Sequence, residues 1–183
     1  MTRTRSLVAL ASALTALGVA APAVANAGTG CSVTWGSLPE QSATHTSAPV
    51  TGLRSGEHAC FDRLVVDVGD GHGGVGFRVG YVDRVVQDGS GTTVPLRGAA
   101  DLQVVVLAPA HDEDGEPTYD PRRDAEVLDV TGYDTFRQVA WAGSFEGQST
   151  IGLGVRARLP FRVFVLDGPG DGQRLVVDVA HRW

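Results

Sequence analysis

No lysine occurs anywhere in the 183 residues, so every basic side chain is an arginine. Acids outnumber the arginines, and the formal net charge is −6 at pH 7. Without Arg3 and Arg5, thirteen arginines face 21 acids, a net charge of −8. An acidic chain without basic runs is a poor partner for nucleic acid or anionic lipid, because both attract proteins through clustered positive charge. Beyond the N-terminal run, no segment is apolar over the roughly 20 residues needed to cross a bilayer, so no membrane span is expected. No stretch shows a convincing helical period, although a short helix around 124–128 is compatible with the pattern.

Catalytic signatures are also missing. The five histidines, His45, His58, His72, His111 and His181, fall at no metal-ligand spacing. There is no His-x-x-Glu helix motif and no Gly-x-Ser-x-Gly elbow, and the carboxylates are too scattered to nominate an acid/base pair. The sequence therefore reads as that of a non-enzyme, with no catalytic residue, metal or cofactor assigned. Two motifs invite chemistry and have simpler explanations. Gly69-x-Gly71-x-x-Gly74 matches the dinucleotide fingerprint in form. That mechanism needs a helix N-terminus next, and a strand pattern follows, so a flexible hairpin loop is expected. His111 to Glu116 crowds carboxylates around Gly115 in the manner of a calcium loop. Counting from Asp112, however, the twelfth position is Arg123 rather than Glu, so a solvated acidic turn is expected.

What is present begins at the N-terminus. Arg3 and Arg5 precede an uncharged apolar run from Leu7 to Ala21, and Ala25-Asn26-Ala27 supplies small residues where a signal peptidase reads. This pattern predicts a signal peptide over 1–27, cleavage before Gly28, and a secreted, extracellular or cell-wall-associated protein. Cys31 and Cys60 are the only cysteines. An even pair without CxxC spacing in an oxidising compartment predicts a disulfide. It would staple an arm over 28–60 that is rich in Ser, Thr, Gly and Pro and poor in core-forming pattern.

Short strand patterns then follow one another. Arg63–Val68, Phe77–Val82, Leu102–Leu107, Phe136–Trp141, Thr150–Arg156, Phe161–Leu166 and Leu175–Val179 are β-branched or alternating runs broken by Gly, Asp and Pro. Val127–Val130 is a candidate for a further short strand on the same footing as Phe136–Trp141. Asp88-Gly89-Ser90-Gly91 marks a hairpin between Arg84–Gln87 and Thr93–Leu96. The series predicts an all-β domain over 61–183, a two-sheet β-sandwich of short, mainly antiparallel strands. Leu64, Val66, Phe77, Val79, Ile151, Leu153, Val155, Phe161 and Val163 are expected to point inward. The sequence also echoes itself: RLVVDV stands at 63–68 and again at 174–179, and FRV at 77–79 and at 161–163. The expected reason is that each half pairs one FRV strand with one RLVVDV strand in the same half-buried setting. Gly152 and Gly154 would leave one strand face flat. With Arg162 and Phe164 on a neighbouring strand, that face is a candidate ligand-binding surface for a glycan or peptide.

The stretch PFRVFVLDGPGDGQRLVVDV, residues 160–179, resembles the closing strands of AMIN domains. With CFDRLVVDV, FRVGYVD, HDEDGEPTY and FRQVAWAGSFEG before it, the order of motifs is similar to that of AMIN-like secreted proteins of actinobacteria. The resemblance covers most of Cys31 to Val179. It implies a β-sandwich of two sheets and a non-catalytic module. AMIN domains are attached to cell-wall amidases and secretion proteins and target them to the envelope, in some cases by binding peptidoglycan. The expectation is thus a secreted module that binds cell-wall glycan or peptidoglycan. The alternatives are an interaction module, inhibitor or assembly factor, for another secreted protein, and an unrecognised hydrolase.

Overall fold

The computed structural model of the protein describes residues 30–183, so the expected signal peptide lies outside the described residues. Eleven strands follow in order: β1 (Glu40–Ser42), β2 (Val50–Glu57), β3 (Phe61–Val68), β4 (Phe77–Val82), β5 (Val85–Val86), β6 (Thr93–Val94), β7 (Ala100–Val106), β8 (Phe136–Phe145), β9 (Gln148–Val155), β10 (Phe161–Asp167) and β11 (Gln173–Ala180). One sheet has five strands in the order β1-β4-β7-β9-β8, a second has four in the order β10-β11-β3-β2, and β5-β6 is a separate hairpin. Every pairing is antiparallel. The protein is an all-β sandwich, as the run of short alternating strands predicted.

Alternation fixes which face of each strand enters the core. In β3, Asp62, Leu64, Val66 and Val68 are buried, while Phe61, Arg63, Val65 and Asp67 are half-buried on the opposite face. Leu64, Val66, Phe161, Leu175 and Val177 from the four-stranded sheet join Val79, Leu102, Val104, Ile151 and Leu153 from the five-stranded sheet in one apolar cluster. Of the nine residues expected inward, eight are buried, and Val163 is half-buried against the same cluster. Each fully buried Val, Leu, Ile or Phe contributes about 1.5–3 kcal/mol. Tyr81 spans the two layers: its ring meets Phe161 edge-on at 5.7 Å, and its hydroxyl donates to the Leu159 carbonyl at 2.8 Å. Burial pushes the Tyr81 phenol above its ordinary range.

Several local expectations need correction. No helix forms around 124–128 and no strand over 127–130. That segment instead covers the outer edge of β8, where Trp141 donates to Asp124 O at 2.7 Å and Val127 to Val139 O at 3.0 Å. Pairing with β8 satisfies these amides without a helical turn. The stretch 28–60 is more than a core-poor arm: it supplies β1 to one sheet and β2 to the other, and Val50 and Leu53 are buried in the core. The Gly69–Gly76 loop is not a hairpin. It carries the chain from the four-stranded sheet to the five-stranded one, and a side chain at Gly76 would collide with the Thr44 carbonyl.

The RLVVDV echo also has a different cause from the one expected. The two copies lie side by side as β3 and β11, with Arg63↔Asp178, Val65↔Val176 and Asp67↔Arg174 in register. RLVVD is complementary to itself when reversed, because its arginine falls opposite the aspartate of the other copy. The FRV copies are not equivalent, since β4 and β10 belong to different sheets.

Candidate functional site

Gly152 and Gly154 do not form an open platform, and β9 is not a neighbour of β10, because the two strands lie in different sheets. The glycine face is roofed by the segment from β5 through Leu96 and Arg97. A Cβ on Gly152 would meet Leu96 Cδ1 at 3.0 Å and Val85 Cγ1 at 3.4 Å, and one on Gly154 would collide with the Arg97 carbonyl. The glycines allow the hairpin to lie close against the sheet. Both residues are buried.

Arg162 and Phe164 lie instead on the outer face of the four-stranded sheet, where the β-register builds a larger constellation. Across one row stand Arg162, Asp178 and Arg63, on β10, β11 and β3. Arg63 Nε donates to Asp178 Oδ1 at 2.6 Å and its Nη2 to Oδ2 at 2.9 Å. Arg162 reaches Oδ2 through Nε at 2.9 Å and Nη2 at 2.8 Å. Asp178 has no exposed surface, whereas the Arg63 and Arg162 side chains are 25% and 40% exposed. The hydrogen bonds to Asp178 hold the Arg63 guanidinium above its already high ordinary pKa. One buried carboxylate thus fixes two half-open guanidinium groups side by side.

Aromatic rings enclose this pair. The Arg162 guanidinium lies 4.3 Å from the Trp35 ring and 5.1 Å from Phe164, and that of Arg63 lies 5.1 Å from Phe61 and 5.5 Å from Phe164. Trp35 also meets Phe61 edge-on at 5.7 Å. The segment that carries Trp35 is anchored by the disulfide Cys31–Cys60, whose Cα atoms are 5.2 Å apart. Further contacts run along the free edge of β10, where Phe161 donates to Gly36 O at 2.8 Å and Val163 to the Glu40 carboxylate at 3.3 Å. Sequence reading named Arg162 and Phe164 as candidates and did not name Trp35, Phe61, Arg63 or Asp178, which the fold places beside them. A signal was available in the reversed complementarity of RLVVD, which sets Arg63 against Asp178, and in the Gly168–Gly172 turn, which brings Arg162 to the same partner.

The other candidates are less organised. The Asp112 carboxylate accepts from Asp114 N at 3.0 Å and Glu116 N at 2.9 Å, so it closes its own turn. Asp70 and His72 line an open hollow of about 710 Å³ with Asp167 and Asp171. Among the described residues no group of three or more His, Cys, Asp or Glu is placed to hold a metal ion. A wider cleft of about 750 Å³ includes Arg97, Arg123 and Arg137. There Arg97 is paired with Glu126, and Arg137 donates to the Tyr133 and Phe136 carbonyls at 2.8 and 2.9 Å.

The architecture defines an all-β, two-sheet module with one structured outer face. The model of the AMIN-like domain matches residues 48–181, and the chain belongs to the AMIN-like domain family. No curated protein and no solved structure matches the chain.

Proposed function

We propose that the protein is a secreted, non-catalytic module of the cell envelope that binds cell-wall glycan or peptidoglycan through the outer face of its four-stranded sheet. Membership in the AMIN-like family supports an envelope-associated, non-catalytic role. The disulfide suits an oxidising compartment, and cleavage after Ala27 would release the chain there. The observation that carries the reading is the row of two arginines on one buried aspartate, set among Trp35, Phe61 and Phe164. Aromatic rings stack on the C–H faces of sugars, and guanidinium groups donate to their oxygens. The net charge of −8 over 28–183 opposes simple adhesion to an anionic wall, so binding rests on these short-range contacts.

Sedimentation of the pure protein with purified peptidoglycan across a salt series tests this reading. Co-sedimentation should persist at moderate salt, which screens exposed charges beyond about 8–10 Å. Phe164→Ala should weaken it several-fold, up to about tenfold. Absence of co-sedimentation at every salt concentration would put a protein partner in place of the glycan, and release of soluble fragments would make the protein a hydrolase.

A further inference from the structure

We infer that the Arg63–Arg162 pair is a subsite for the carboxylate of a uronic-acid residue, a sugar ring bearing its own carboxyl group; this inference rests on the glycan reading above. On the outer face Arg174 donates only to the Asp167 carbonyl, and what distinguishes the Arg63–Arg162 row is that two guanidinium groups converge on one buried carboxylate. Arg54, on β2 at the far edge of the sheet from β10, has its own partner in Asp67 at 2.5 Å. Arg63 and Arg162 share Asp178 alone, which leaves one positive charge on a chain that is otherwise strongly acidic. Both use Nε and Nη2 on that aspartate, and among the described residues neither Nη1 has a hydrogen-bond partner. Two planar donors held side by side, half-open and one charge in excess, fit a carboxylate better than a neutral hydroxyl.

The rings decide between a sugar and a peptide as the bearer of that carboxylate. Trp35 and Phe164 lie 4.3 and 5.1 Å from the Arg162 guanidinium, so a carboxylate arriving there brings whatever carries it close to aromatic rings. A pyranose ring offers a C–H face for stacking with its carboxylate beside it. An extended peptide would recognise a sheet by adding to its edge. On this side of the sheet, however, the edge of β10 already donates to Gly36 and Glu40 from the disulfide-held segment. Asp178 is a positioning residue: it touches no ligand and sets the spacing of the two guanidinium groups.

The test is calorimetric titration of the purified protein with trigalacturonic acid and with the same trisaccharide after its carboxyl groups are reduced to alcohols. The acid should bind about tenfold or more tightly than the reduced form, in keeping with the strength of a charge-assisted hydrogen bond. Arg162→Ala should abolish that preference, and Arg162→Lys should keep part of it by retaining charge without the planar fork. Arg78→Ala, exposed on the other sheet, should leave it intact. If Arg162→Ala gives no cooperative melt, the lysine variant and Trp35→Ala carry the test. Equal binding of the two trisaccharides, or an acid preference that survives Arg162→Ala in a folded variant, overturns the inference. Tighter binding of a tripeptide with a free C-terminal carboxylate also overturns it. Peptidoglycan sedimentation run in parallel separates the two readings. Wall binding without acid preference overturns the subsite alone, whereas acid preference without wall binding overturns the envelope role and supports the subsite.

Discussion

Asp62 illustrates how much depends on single polar residues in this apolar sandwich. It points inward from β3 with no exposed surface, and one carboxylate oxygen accepts from Thr135 N at 2.7 Å and Phe136 N at 2.8 Å. The other oxygen meets His181 Nε2 at 2.9 Å, and His181 Nδ1 lies 3.2 Å from Asp134. Replacing Asp62 with Ala strands two backbone amides and a buried imidazole, so chemical denaturation should show a loss of about 3–5 kcal/mol. Asp62→Asn keeps an acceptor and should lose less. Glu40 works in the opposite direction. Burial pushes its carboxyl above the ordinary value of 4.5, and the Val163 amide only partly pulls it back. A group whose folded pKa is raised stabilises fully below its unfolded value and loses that contribution as pH climbs through the folded one. Ionised Glu40 is therefore a liability at neutral pH. Glu40→Gln should raise the Tm by about 1–2 °C at pH 7 and show little difference from the parent near pH 4 in paired thermal melts.

At the scale of elements, the disulfide does more than close a loop. It joins Cys31 to the residue before β3, and the segment between Cys31 and β1 carries Trp35 to the arginine row and covers part of the edge of β10. Bare edges invite pairing with other chains. Cys60→Ser should cost about 3–4 kcal/mol from the loop of roughly 30 residues, and limited proteolysis should then cut between residues 31 and 39 while the sheets stay intact. The strands themselves were legible in the sequence, because Leu64 and Val66, or Ile151 and Leu153, keep strict period two. Their assignment to sheets was not. Period two looks the same in either layer, so nothing local to Gly152 or Arg162 says that β9 and β10 lie in opposite sheets. The long-range roof over Gly152 and Gly154, formed by Val85, Leu96 and Arg97, was hidden for the same reason. Asp178 carries no local sign of its role, which arises only because β3 and β10 lie on either side of β11.

For the whole molecule, the telling feature is the central pair of the four-stranded sheet. β3 is flanked by β2, which is close in sequence, and by β11, and the cross-strand partners Arg63 and Asp178 stand 115 positions apart. Contacts of such separation slow folding, because a long loop must be ordered before they form. A chain truncated before Gln173 lacks the strand that joins β3 to β10 and should show no cooperative melt by far-UV circular dichroism. During synthesis at about 5–20 residues per second, β3 waits roughly 6–23 s for its partner to leave the ribosome. Until then the sheet stays open down its middle. A polypeptide that cannot complete its fold early remains a thread, and a thread is the form that the proposed export would require.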